Sequence, residues 1–171
     1  MELYKILANE TQEAFKKITQ DIKEDIYGFG LFTDDSATYV DIAINTTESL
    51  MANLEKLKNP RQKKLYGFEY KWYTTQWHYE GGFSNLFPKT NELMGQDDTS
   101  SDKTNVFESL IKALKLLRSQ DVFKSTLDGK EIILMISISD SQYDEEYMER
   151  SIKELNTKAI YEEYLKDKEG I

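Results

Sequence analysis

Tyr27-Gly-Phe-Gly-Leu-Phe-Thr-Asp-Asp-Ser36, followed by Val40-Asp-Ile-Ala-Ile-Asn45, decides how this chain is read. Tyr27, Phe29, Leu31 and Thr33 alternate with Gly28, Gly30 and Phe32, and Val40, Ile42 and Ile44 alternate with Asp41, Ala43 and Asn45. Successive side chains of a strand point to opposite faces. Alternation on both sides of the polar Asp34-Asp35-Ser36 turn therefore predicts an antiparallel hairpin. The two glycines weaken a strand interior and mark either a bulge or a close approach by a neighbouring group. Further on, Ile132-Ile-Leu-Met-Ile136 is an unbroken apolar run. Such a run predicts a strand covered on both faces, and hence a central one.

Helical spacing surrounds these strands. Phe15, Ile18 and Ile22 predict a helix over 10–23, with Leu3 and Leu7 extending its stripe backwards. Leu50, Leu54 and Leu57 predict a second, capped by Thr46 or Thr47 and stopped by Pro60. A short helix within 83–93, interrupted at Pro88, precedes a polar loop over 95–102. Val106, Phe107, Leu110, Ala113, Leu114 and Leu117 mark a helix that Asp102 caps. Met148, Ile152 and Leu155 mark the next, and Ile160, Tyr161 and Tyr164 a charged last one. The expectation is one α+β domain over 1–171. Its small, mainly antiparallel sheet, the N-terminal hairpin plus a central strand near 131–139, is packed with four to six helices.

The chain has 31 acidic and 22 basic side chains, a net charge of −9, and no cysteine. A disulfide framework, a thiolate zinc site and a cysteine nucleophile are thereby excluded. No apolar stretch is long enough to span a membrane, and the charged start does not read as a signal peptide; a soluble, cytoplasmic protein is expected. The acid excess disfavours nucleic acid and fits a basic protein as partner. Charge is also uneven. Lys56, Lys58, Arg61, Lys63, Lys64 and Lys71 face a single acid, Glu69, while 140–169 is mainly acidic. The asymmetry either serves a partner, joins two copies, or forms two solvated faces.

No Gly-x-Gly-x-x-Gly, P-loop or His-Glu-x-x-His pattern is present, and no cofactor or metal is expected. The 97–102 loop lacks the glycine and terminal glutamate of a calcium loop. The unusual segment is 66–83, which holds both tryptophans and the only histidine. Trp72, Tyr73, Trp77 and Tyr79 suit a protein interface or a ligand pocket, and equally a closed core. His78 is a weak general base or metal ligand, since no second histidine exists, and reads more simply as a surface residue. Asp34 sits at a turn, and Asp140 and Ser141 follow the apolar strand, where aspartate and serine also serve as caps. The candidate binding surface comprises Asp34, Trp72, Tyr73, Trp77, His78, Tyr79, Glu80, Asp140 and Ser141.

These segments resemble a bacterial family carrying only a domain-of-unknown-function label. Its shared strand falls at Thr33-Asp34, its helix start at Asn45-Thr-Thr-Glu-Ser49, its W-x-x-x-x-W-x-Y-E segment at Trp72 to Glu80, and its S-D-S strand end at Ser139-Asp-Ser141. Ser151 and Asn156 complete the pattern. The resemblance covers about Thr11 to Asn156 and carries no established activity. It implies kinship with small acidic immunity proteins of toxin systems. The reading that follows is a non-catalytic protein-binding module, an immunity-type inhibitor of a toxin domain among its forms, with the oligomeric state open. The alternative is a small hydrolase or ligand-binding enzyme in which Asp34, Glu80 and Asp140 form a carboxylate cluster, helped by His78. A third reading is a scaffold that joins copies through the basic stretch and the acidic C-terminal region.

Overall fold

The computed structural model describes residues 2–96, 103–124 and 131–171. The expected Asp102 cap and residues 97–102 of the expected 95–102 loop lie outside them, while Gly95 and Gln96, expected in that loop, are helical. The elements are α1 (Leu3–Asp21), β1 (Ile26–Asp34), β2 (Asp41–Thr46), α2 (Thr47–Glu55), α3 (Pro60–Trp72), β3 (Tyr79–Glu80), α4 (Pro88–Gln96), α5 (Lys103–Ser119), β4 (Ile133–Ser139), α6 (Asp144–Leu155) and α7 (Lys158–Glu169). Short 3₁₀ turns at Thr74–Gln76 and Ser84–Leu86 flank β3.

The hairpin forms with β1 and β2 antiparallel, from Ile26 opposite Thr46 to Phe32 opposite Asp41. Asp34 shapes its link by accepting from the Thr38 amide at 2.6 Å and the Thr38 hydroxyl at 2.7 Å. β3 adds to β2 antiparallel, and β4 adds to β1 in parallel, giving the order β3-β2-β1-β4.

Three expectations are corrected. The sheet is mixed rather than mainly antiparallel, because β4 runs parallel to β1 over seven paired residues. Among the described residues there are seven α-helices rather than four to six. Pro60 explains the miscount, because it opens α3 as well as ending the stretch before it, and Pro88 likewise opens a helix. Pro60 stands in the first turn of α3, where the Asn59 side chain accepts from the Gln62 amide at 2.9 Å. Proline suits that turn because its missing N–H would have had no helical partner. Pro88 begins α4 rather than interrupting a helix, and the Lys89 and Thr90 amides there donate to the Glu10 carboxylate at 2.9 and 3.1 Å.

The third correction concerns the apolar strand, which lies at the margin of the sheet and not at its centre. Its outer edge is closed by α6, which returns alongside it. The Leu134 amide donates to Asn156 Oδ1 at 2.7 Å, the Ile136 amide to Ser151 Oγ at 3.0 Å, and the Ile138 amide to Asp144 Oδ1 at 2.6 Å. Asn156 Nδ2 also donates to the Leu134 carbonyl at 2.7 Å. Three side chains thus stand in for a fifth strand. β4 can therefore be apolar on both faces without presenting a free edge.

The two faces of the sheet differ. Phe29, Leu31, Ile42, Ile44, Leu134, Ile136 and Ile138 meet α1 and α5 in a mainly aliphatic core. The other face is small at Gly28, Gly30 and Ala43 and is covered by Trp72, Trp77, Phe68, Met148 and Tyr164. Trp77 lies so close that a Cβ on Gly28 would stand 2.9 Å from its ring. Both expected reasons for glycine are met: a Cβ on Gly30 would stand 3.0 Å from Thr74 Cγ2, and the β1–β2 register shifts between Ile26 and Gly28. Among the described residues no helix is long and apolar enough to cross a membrane.

Candidate functional site

The segment 66–83 divides between interior and surface. Trp72 is fully buried at the end of α3, and its Nε1 donates to Asp167 Oδ2 at 3.0 Å. Trp77 is 4% exposed and donates to the Lys71 carbonyl at 3.2 Å. Tyr73 is exposed and packs edge-on against Phe68. Its hydroxyl titrates above the usual tyrosine range, chiefly through burial and then through the Glu145 and Glu69 carboxylates. His78 and Glu80 are exposed, while Tyr79 is half-buried.

Around His78 the chain forms an open groove of about 580 Å³, lined by Glu24, Glu48, Asn53, Gln76, Trp77 and His78 among others. Its walls follow from local chemistry. Thr46 is the cap of α2, with its hydroxyl accepting from the Ser49 amide at 3.2 Å. That cap fixes Glu48 in the first turn, where the helix dipole favours a carboxylate. Glu48 reaches back to accept from the Asp25 amide at 3.1 Å. Glu24 accepts from the Tyr79 hydroxyl at 2.5 Å, and the same contact raises the Tyr79 hydroxyl above its ordinary value. Asn45 ties the floor together: its Oδ1 accepts from the His78 amide at 3.4 Å, and its Nδ2 donates to the Tyr70 carbonyl at 3.1 Å. The His78 ring stands edge-on to Tyr79, with centroids 4.6 Å apart.

Asp34, Asp140 and Ser141 lie elsewhere, at the carboxyl ends of β1 and β4, where Asp34 is level with Ser139. Asp34 is occupied by Thr38, and Ser141 Oγ accepts from the Tyr143 amide at 3.1 Å. Asp140 takes a left-handed conformation with φ 57° as β4 leaves the sheet. Glu80 pairs with Ala43, which is level with Gly30. Asp34 lies four residues further along β1, about 13 Å at strand rise. The structure therefore brings Asp34 and Asp140 to one end of the sheet and leaves Glu80 at another margin. Among the described residues no group of three histidine or acidic side chains is placed to hold a metal.

The groove also contains residues the sequence reading passed over. Glu24 and Gln76 carry no local pattern, and Glu48 figures there only as part of a helix start. Glu24 and His78 come together because β3 pairs with β2, a contact that no spacing along the chain announces.

The basic stretch and the acidic C-terminal region meet within the chain. Lys71 Nζ lies 2.6 Å from Glu163 and 2.8 Å from Asp167. Part of the charge asymmetry is thus used internally, holding α7 on α3.

Residues 7–157 match the family described as Domain of unknown function (DUF4303). The chain belongs to DUF4303. No curated protein and no solved structure matches it. Within the DUF4303 match fall the groove residues, the α2 cap and the three side chains that close β4; all of α7 lies beyond it.

Proposed function

We propose that this DUF4303 chain is a non-catalytic protein-binding module, a single domain over 1–171, whose groove between α2 and His78 takes a basic segment of a partner protein. One observation carries the reading. The carboxylates of Glu24 and Glu48, each anchored by a hydrogen bond to the chain's own framework, line the same open groove beside His78 and over Trp77. Anchored carboxylates have already lost their side-chain freedom, so less ordering remains to be done on binding. An arginine fork can bond two such groups while its planar face rests on an aromatic ring. The net charge of −9 would speed the encounter with a cationic partner. A cytoplasmic immunity-type inhibitor of a cationic toxin domain is one form of this function, and kinship with the family is what brings it forward.

Titration with a hexa-arginine peptide tests the groove, read by the amide signal of His78 and by Trp77 fluorescence. Binding should weaken with added salt. It should weaken further in Glu48→Gln but not in Glu162→Gln, an exposed acid on α7 paired, among the described residues, with Lys158. Equal loss in the two variants would mean that net charge alone attracts the peptide, and the groove would have no special part.

A further inference from the structure

α2 contributes to a second groove of opposite sign. Lys63 and Lys64 on α3 and Lys166 on α7 rim a cavity of about 340 Å³, with Leu54, Gly67 and Phe68 among its other walls. Lys71 also lines it but is engaged by Glu163 and Asp167. Lys168, on the same helix as Lys166, is engaged by Glu145 and Glu149. Among the described residues Lys63, Lys64 and Lys166 have no such ion pair. Three uncompensated ammonium groups around one cavity, on a chain of net charge −9, do not follow from composition. Gly67 is an interior residue of α3, where glycine costs about 1 kcal/mol relative to alanine. A Cβ there would stand 3.4 Å from Leu54 Cδ2, so its absence keeps the groove open.

We propose that this groove binds an acidic peptide segment of a partner protein, with carboxylates among Lys63, Lys64 and Lys166 and an apolar side chain against Leu54 and Phe68. Two features select that occupant. Leu54 and Phe68 give the lining an apolar part, which a peptide side chain can cover and a bare phosphate cannot. A long polyanion would also meet Glu162 and Glu163 of α7 and the acidic remainder of the surface, whereas a short acidic segment can be confined to the groove, where the lining carboxylate of Asp167 is already held by Lys71 and Trp72. The site is independent of the groove at His78. The two would let one small domain hold partner segments of both signs on either side of α2.

The test uses the full chain, isotopically labelled, and a blocked Glu-Glu-Leu-Glu-Glu peptide. Saturable shifts are expected at the Gly67, Phe68 and Gly170 amides. Affinity should fall about tenfold, the equivalent of one lost charge contact, in Lys63→Glu/Lys64→Glu and separately in Lys166→Glu. Leucine replaced by alanine in the peptide should also weaken binding, and Glu48→Gln in the protein should leave it unchanged. That last arm separates failure here from failure of the arginine-binding groove. Absence of saturable shifts, equal shifts with inorganic phosphate alone, or unchanged affinity in both lysine variants would overturn the proposal. Salt-reversible self-association seen by light scattering, and abolished by Lys63→Glu/Lys64→Glu, would also overturn it, by making a second copy the occupant.

Discussion

The two edges of the sheet are finished in opposite ways. At β4 the outward amides of Leu134, Ile136 and Ile138 are each taken by a side chain from α6 or from its end. At the other edge β3 is only two residues long, and His78 and Glu80 around it are exposed. An edge strand must be blocked, shortened or charged to avoid pairing with other chains. This protein blocks the apolar edge and shortens the polar one. The difference separates duties. The closed edge is structural, and the short edge borders the groove proposed to bind.

The contrast breaks most readily at Asn156. Its amide group accepts from the Leu134 amide, donates to the Leu134 and Ile152 carbonyls, and lies 3.2 Å from Arg118 Nη2. Arg118 in turn donates to the Leu155 and Ile132 carbonyls and pairs with Glu131, so one corner ties α5, β4 and α6 together. Asn156→Ala leaves a buried strand amide and carbonyl unpaired, and a loss of about 3 kcal/mol in denaturant unfolding is expected. Hydrogen exchange at Leu134 should quicken with it. A loss below about 1 kcal/mol would mean that the edge is held by apolar packing alone.

Gly28→Ala probes the sheet beneath the groove. The added methyl would meet the Trp77 ring at 2.9 Å, and that ring is wedged between the sheet and the Lys71 carbonyl. Overpacking of this kind costs about 1–3 kcal/mol. The same variant should weaken arginine-peptide binding, because Trp77 also lines the groove. Unaltered stability would show that Trp77 has room to move, and would remove the close approach as the reason for glycine at this position.

How much of this was legible follows from where the partners lie. The β1–β2 hairpin was readable because its alternation and its turn are local. The apolar run at 132–136 announced burial on both faces but not the strand's place in the sheet. Its edge partners Asp144, Ser151 and Asn156 lie six, fifteen and twenty-two residues from the amides they serve. Burial and centrality coincide in most sheets, and here a helix supplied the missing neighbour. Pro60 and Pro88 look like breaks in the sequence, although proline serves equally well at a helix start, and at Pro60 the preceding Asn59 is the cue that distinguishes the two. Tryptophan fared similarly: its size marked 66–83 as special, but two glycines forty-nine and forty-seven residues before Trp77 decided that this ring lies inward.

Asp144 sharpens the closed edge through pH. Burial first, offset in part by the Ile138 amide and Ser137, holds its carboxyl above the ordinary value of 3.8. The folded chain therefore keeps this proton to a higher pH than the unfolded chain does. Between 3.8 and the raised folded value, stability falls as pH rises, and the deficit persists above that window. Asp144→Asn keeps an acceptor for the Ile138 amide without the buried charge. It should remove this contribution to the pH dependence while changing neutral stability by about 1 kcal/mol or less, since the lost charge at a helix start offsets part of the gain. Asp144→Ala, which leaves the amide unpaired, should instead lose about 1–2 kcal/mol at neutral pH. Equal effects of the two substitutions would show that the acceptor is dispensable and that solvent serves the Ile138 amide.

The smallest effect on stability is expected at the short edge, and there the distinction between structure and recognition is most exposed. Glu48 is solvent-facing, and among the described residues its framework contact is to the amide of half-buried Asp25. Glu48→Gln retains an oxygen for that amide and should shift unfolding by about 0.5 kcal/mol or less. Its effect belongs in recognition: weaker hexa-arginine binding and a shallower dependence of that binding on salt, because one charge contact has gone. A variant that lost stability as heavily as Asn156→Ala would place Glu48 among the framework residues. The short edge would then be held as firmly as the closed one, and the division of duties between the two margins of the sheet would fail.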